Sequence, residues 1–124
     1  MSRSGSSRAA ATIDDVEAGD AEFDVAAVEA VFKALASERR LRILEWLKDP
    51  PAHFPPQEHG DPVSDGACNL FIVEKLGVSQ PAGSRHLKVL VDAGLVIPTR
   101  RKGWTYYRRN EDALARAVEL LRAL

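Results

Sequence analysis

One cysteine in 124 residues, Cys68, leaves no intramolecular disulfide framework and no multi-cysteine zinc site within the chain. Long apolar runs are missing as well. Nothing approaches the ~20 consecutive apolar residues of a membrane-spanning helix, and the amino terminus carries no hydrophobic signal core; a cytoplasmic location without a membrane partner is the expectation. No nucleophile, base and orienting group stand at a recognisable spacing, and there is no glycine-rich phosphate-binding loop, so neither an enzyme nor a cofactor is expected. An excess of charge is lacking too, with 17 Lys and Arg against 18 Asp and Glu for a net charge of −1. What remains, 45% hydrophobic residues, suits a single modest core. Residues 1–20, rich in Ser, Ala, Gly and Asp, are expected to be a flexible tail ahead of one domain at 21–124.

The near-neutral total hides a strong local asymmetry. Between residues 79 and 110, Arg85, Lys88, Arg100, Arg101, Lys102, Arg108 and Arg109 face only Asp92, seven positive charges against one, a net of +6. A local basic surface of that kind suits nucleic acid, because each phosphate neutralised adds a salt-dependent increment to binding.

Helical and strand signals organise this stretch. Ser79 is a good N-cap and Pro81 falls in a first turn, where its missing N–H costs little; the helix runs to about Asp92. A turn of ~100° per residue puts Gly83, Leu87, Leu90 and Val91 on one face and Pro81, Arg85, Lys88 and Asp92 on the other. Gln80, Ser84, Arg85 and Lys88 then project from the exposed first turns, the part of a helix-turn-helix that enters the major groove. Gly94 ends the helix, and residues 95–100 and 104–109 form a hairpin whose tip is Arg101, Lys102 and Gly103.

The rest of the chain reads as helices around this pair. Residues 23–36 have helical spacing at Phe23, Ala27, Ala30, Val31, Ala34 and Leu35. Ser37 caps a second helix with Leu41, Leu44 and Leu47 as its core stripe and Trp46 beside it, stopped by Asp49-Pro50-Pro51. Five prolines between residues 50 and 67 predict an irregular loop. A short helix over 68–76 ends at Gly77. Asn110 caps a last helix with the stripe Leu114, Ala117, Val118, Leu121 and Leu124. The expected fold is mainly α with a small β-hairpin, a winged helix-turn-helix. The first and last helices carry more apolar surface than so small a core can cover, so a two-fold dimer is expected through Phe23, Ala27, Val31, Leu114, Ala117, Val118 and Leu121.

With KALASERRLRILEWL at 33–47, KLGVSQPAGSRHLKVLVDAGLV at 75–96 and GWTYYRRN at 103–110, the chain resembles the ArsR/SmtB family of bacterial winged-helix repressors over most of its ordered part. The resemblance implies a homodimeric repressor that sits on a double-stranded operator and leaves when an effector binds, with the first and last helices at the dimer interface. It places DNA contacts at Gln80, Pro81, Ser84 and Arg85, with the wing at Arg100, Arg101 and Lys102. In chemical terms Gln reads adenine and Arg reads guanine, while Ser84 and Lys88, with the Ser79 cap beside them, suit phosphates. His86 turns toward the edge of the buried stripe and fits either packing or a phosphate contact. The family's metal motifs are broken: Cys68 occupies the first position of its cysteine pair but Leu70 the second, and the last helix has no histidine.

Several side chains leave other readings open. His53, His59 and Cys68, with Asp61 and Asp65, form a mixed donor set without compact spacing, against a solvated loop. Cys68 at a helix start suits either a thiol sensor or plain packing. Trp46, Phe54, Phe71, Trp104 and Tyr106 either line a pocket for an organic effector or serve as core. A metal- or redox-responsive repressor, and a winged-helix protein-interaction subunit, are the competing functions.

Overall fold

The computed structural model describes residues 24–124; the expected tail and Phe23 lie outside them. Helix α1 (Val25–Leu35) starts where the Asp24 carboxylate accepts the Ala27 N–H at 3.1 Å, and α2 (Glu38–Trp46) where the Ser37 hydroxyl accepts the Arg40 N–H at 3.3 Å. Both caps satisfy first-turn donors that have no intrahelical partner. The buried stripe of α2 is Ile43 and Leu44, continued by Leu47, whereas Leu41, expected in it, is half exposed. The core-facing positions follow the i, i+4 spacing of 43 and 47, which leaves 41 on the flank.

The proline-rich segment is irregular over residues 54–66, as expected, but opens in a helical turn and is held by specific hydrogen bonds. Pro50 and Pro51 open a one-turn helix, α3 (Pro50–His53), because prolines in a first turn remove donors that would be unpaired anyway. Beyond it, the Gln57 side chain donates to the carbonyls of Gly60 and Gly66 and accepts the Cys68 N–H at 2.8 Å. Asp61 Oδ1 accepts the N–H groups of Val63 and Ser64, which holds its carboxyl below the usual range. The loop ends in a strand that the sequence does not signal, β1 (Ala67–Cys68). Gly66, just before it, has φ 100°, and a Cβ there would meet the carbonyl oxygen of Tyr107; only glycine lets the two backbones approach so closely.

Cys68 is the N-cap residue of α4 (Asn69–Leu76), and Ser79 caps α5 (Gln80–Asp92) through the Ala82 N–H at 3.3 Å. At the end of α5 the N–H groups of Gly94 and Leu95 return to the carbonyls of Val91 and Leu90, a Schellman closure. Strands β2 (Val96–Arg101) and β3 (Trp104–Arg109) pair antiparallel with Arg101 opposite Trp104, and Ala67 and Cys68 of β1 add to the other side of β3 opposite Tyr107 and Tyr106. The hairpin expected from the sequence is thus a three-stranded sheet in the order β1-β3-β2. Pro98 is tolerated because β2 is an edge strand.

Asn110 joins three elements. Its Oδ1 caps α6 (Glu111–Arg122) through the Ala113 N–H, its Nδ2 donates to the Gly94 carbonyl, and its own N–H donates to Leu95. The bulkiest fully buried side chains are Ile43, Ile72, Leu87, Leu90 and Leu95, drawn from α2, α4, α5 and the root of the wing. The inner face of α5 is therefore part of the central core, and its outer face rests on a packed platform.

The residues expected at a dimer surface on the first and last helices differ in exposure within the protomer. Ala27, Val31 and Ala117 are buried within the protomer itself and Leu114 is half-buried against its core, whereas Val118 and Leu121 are exposed. The apolar side chains left in water on α1 and α6 are Val25, Phe32, Val118 and Leu121, with Leu124 just beyond. A helix two stripes wide spends one on its own core and shows the next.

Candidate nucleic-acid interface

Helix α4, the turn at Gly77 and Val78, and α5 form a helix-turn-helix closed by a tight contact. A Cβ on Gly83 would stand 2.5 Å from Cγ2 of Val73, so α5 crosses α4 with no room for a side chain at that position. The sequence places Gly83 on the inward face, and the structure supplies its reason.

With Gly83, Leu87 and Leu90 buried, Ser79, Gln80, Pro81, Ser84, Arg85 and Lys88 are all exposed on one continuous surface. Gln80 and Ser84 lie within reach of one another at 3.4 Å, and Lys88 pairs with Asp92 one turn on at 2.9 Å. Arg85 makes no hydrogen bond or ion pair among the described residues. An exposed guanidinium and an amide on the first two turns of a helix whose inner face is buried are suited to base edges, and the helix N-terminus adds partial positive charge toward phosphates.

Of the two roles open to His86, packing is the one the structure displays. Its ring is half-buried and its Nδ1 lies 3.0 Å from Nη1 of Arg40, whose Nε and Nη2 donate to the carbonyls of Ala34 and Lys33 at the end of α1. Burial, followed by the positive charges of Arg40, Arg39 and Arg85, pushes the His86 pKa below 6.5, so the ring accepts from Arg40 as a neutral imidazole. Together the two side chains fasten the end of α1 to the back of α5. Arg40 is a functional residue the sequence reading missed; nothing in helical spacing marks an Arg that reaches across to a helix 46 residues on.

The wing turns on two residues with positive φ, Lys102 at 55° and Gly103 at 82°, the requirement of a two-residue type I′ hairpin, whose twist matches the strands. This puts the Lys102 side chain at the tip. Arg100 is exposed and donates within the hairpin to Thr105 Oγ1 and the Gly103 carbonyl. Arg101 is different. Its Nη2 stands 3.2 Å from Oδ1 of Asp65, a carboxylate only 8% exposed whose Oδ2 accepts the Asp61 N–H. The proline-rich loop therefore grips the wing and offsets one of its charges. Arg109 is not part of the basic surface: its guanidinium pairs with Glu111 and donates to the Leu44 carbonyl. Charge counting along the chain cannot tell such anchoring arginines from displayed ones.

The remaining candidates do not gather into a three-ligand site, although His59 and Cys68 line one cavity. His53 ends α3, His59 lies exposed on the loop and Cys68 is buried, with Sγ 3.8 Å from Asn69 Oδ1. Among the described residues no three His, Cys, Asp or Glu side chains are gathered so as to hold a metal ion. Of the five aromatics, Trp46 and Phe54 pack edge to face with ring centres 6.1 Å apart, while Phe71, Trp104 and Tyr106 line a separate cavity. No described helix is long and apolar enough to cross a membrane.

Comparison with known proteins places this geometry. The family model described as bacterial regulatory protein, arsR family, matches residues 68–97, which run from β1 through the helix-turn-helix into β2. The uncharacterized HTH-type transcriptional regulator YbzH of Bacillus subtilis is 42% identical over 74% of this chain and 92% of its own length. The arsenical resistance operon repressor of the same organism is 32% identical over 68% of this chain and 67% of its own. Among solved structures, the homodimeric winged helix-turn-helix DNA-binding domain of a possible ArsR-family regulator from Mycobacterium bovis superposes with a TM-score of 0.54 at 28% identity, covering 86% of this chain and 90% of that one. These are regulators and not enzymes. A helix-turn-helix braced from behind, a basic wing beside it and relatives that match over most of their length all agree: the chain belongs to the ArsR family of winged helix-turn-helix transcriptional regulators.

Proposed function

We propose that the protein is a homodimeric repressor in the cytoplasm that reads a double-stranded operator through α5 and the wing, and that an effector releases it. The observation that carries the reading is the exposed, unpaired Arg85 next to Gln80 and Ser84 on the outer face of a helix whose inner face is core. Gln80 and Arg85 contact base edges; Ser79, Ser84, Lys88, Arg100 and Lys102 contact phosphates. Pro81 contributes shape alone, which keeps direct readout sparse. The exposed apolar stripe of Val25, Phe32, Val118 and Leu121 supports a two-fold partner, which would space two copies of α5 about one DNA turn, ~34–36 Å, apart. The name of one relative, an operon repressor, favours repression over activation.

The test is selection of genomic fragments by the purified protein, followed by affinity measurements at two salt concentrations. Selective binding that weakens steeply with salt is expected. Arg85→Ala should cost about 1–3 kcal/mol on the selected site and relax its sequence preference. An equal loss on all sequences would make Arg85 a phosphate contact, and no selective binding at all would refute the operator reading.

A further inference from the structure

Away from α5, a cavity of about 260 Å³ opens between the proline-rich loop, the start of α4 and the wing. Leu70 and Phe71 supply one wall from the first turn of α4; Trp104 and Tyr106, two residues apart and hence on one face of β3, supply another; Glu58 closes the loop side. Leu70 is 42% and Trp104 41% exposed, large apolar surfaces that no described residue covers. Glu58 is the only carboxylate among the lining residues, which include His59 beside it on the loop but neither Lys nor Arg.

Three aromatic rings and one carboxylate favour the same kind of charge. The face of an aromatic ring carries a negative quadrupole potential that attracts a cation, and most strongly when the cation is weakly hydrated. A metal ion or simple ammonium would lose hydration against apolar walls without enough oxygen donors in return, and an anion would meet repulsion from both rings and carboxylate. The volume lies just under the ~300–1,000 Å³ of pockets that enclose drug-sized ligands. We propose that this groove binds a small organic cation, such as an aryl or alkyl ammonium, and that the wing senses its occupation.

The walls connect directly to the DNA-reading parts. Trp104 is paired with Arg101 at the hairpin turn, Arg101 is held by Asp65 of the loop, and Cys68 in the cavity wall is the N-cap of α4. A ligand that separates loop from β3 therefore moves the wing relative to α5. This coupling rests on the reading of the wing proposed above; the binding site does not.

Calorimetric titration of the full chain with benzyltrimethylammonium, benzyl alcohol and benzenesulfonate tests the site without DNA. Saturable binding of the cation is expected, about tenfold tighter than either other probe, and Glu58→Gln and Trp104→Ala, both at exposed side chains, should each weaken it about tenfold. No saturable binding, equal binding of the three probes, or cation binding unchanged in both variants would overturn the proposal. The cation should also lower operator affinity of the unaltered protein and leave that of Trp104→Ala unchanged. A bound cation that leaves operator affinity unaltered would overturn the sensing, whereas cation binding by a protein that ignores all DNA would remove the operator reading and keep the site.

Discussion

A Cβ at Gly83 would fall 2.5 Å from Val73 Cγ2 and 3.1 Å from its Cβ, and Val73 is itself buried and stiff about χ1. Alanine in a helix interior ordinarily gains ~1 kcal/mol over glycine, but overpacking of this kind costs ~1–3 kcal/mol. Gly83→Ala is therefore expected to be neutral to destabilising by about 2 kcal/mol. Combined with Val73→Ala it should cost less than the sum of the two single changes, as measured by urea unfolding; strict additivity would show that the two residues do not touch. At His86 the prediction concerns pH. Its native pKa is depressed below 6.5, by burial and then by Arg40, so at acid pH the unfolded chain binds more protons than the native state. The contribution is complete above the unfolded value and is lost as pH falls through that value toward the native one. The thermal midpoint should drop on acidification to about pH 5, and drop less in His86→Gln. An identical acid response in the variant would mean that His86 does not contribute to it.

Elements in this protein are fastened to one another by side chains that the linear pattern presents as ordinary surface charge. Arg101, which the family resemblance places in the wing, is committed to the nearly buried Asp65. Removing it exchanges a pair of near-zero net charge for an unpaired buried carboxylate, so the loss of wing position outweighs the loss of field. Lys102→Ala, at the tip and without an acidic partner among the described residues, should flatten the dependence of log affinity on log salt by about one unit. Arg101→Ala should flatten it by less while lowering the thermal stability of the wing. Equal slopes for the two variants would show that the Asp65 pairing does not persist on DNA. The loop itself explains why its order escaped the sequence reading. Its structure comes from Gln57, Asp61 and Asp65 hydrogen bonding to backbone at separations of 2 to 11 residues, a pattern with no period.

Two protomers rather than one form the unit proposed to meet an operator, and the surface for that contact is narrower than the apolar spacing of the terminal helices suggests. Leu121 is 40% exposed and Val118 46%, whereas Ala117, one position away on the wheel, is 6% exposed. Leu121→Asp should leave the fold intact, because its side chain is outside the core, and convert a dimer to a monomer in sedimentation. It should also reduce operator affinity by much more than any single wing substitution, since both half-sites must be held at once. A variant that still sediments as a dimer would place the interface elsewhere.

Local signals determined a great deal by themselves. The caps at Ser37, Ser79 and Asn110 and the breaks at Gly77 and Gly94 act within a few residues of backbone, so the sequence specifies the helix-turn-helix and wing with boundaries close to those observed, although the expected three-residue tip is two residues, with Arg101 in the strand. Along α5 the alternation of apolar and polar side chains fixes which face is buried, and with it the exposure of Gln80, Ser84 and Arg85. Only the tertiary structure decided which charges are displayed and which are anchors. Arg40, Arg101 and Arg109 find their partners across 46, 36 and 65 positions respectively, and β1 exists only because β3 is there to pair with it. Such contacts depend on where the chain returns in space, and a one-dimensional pattern of hydrophobicity and charge carries no record of that.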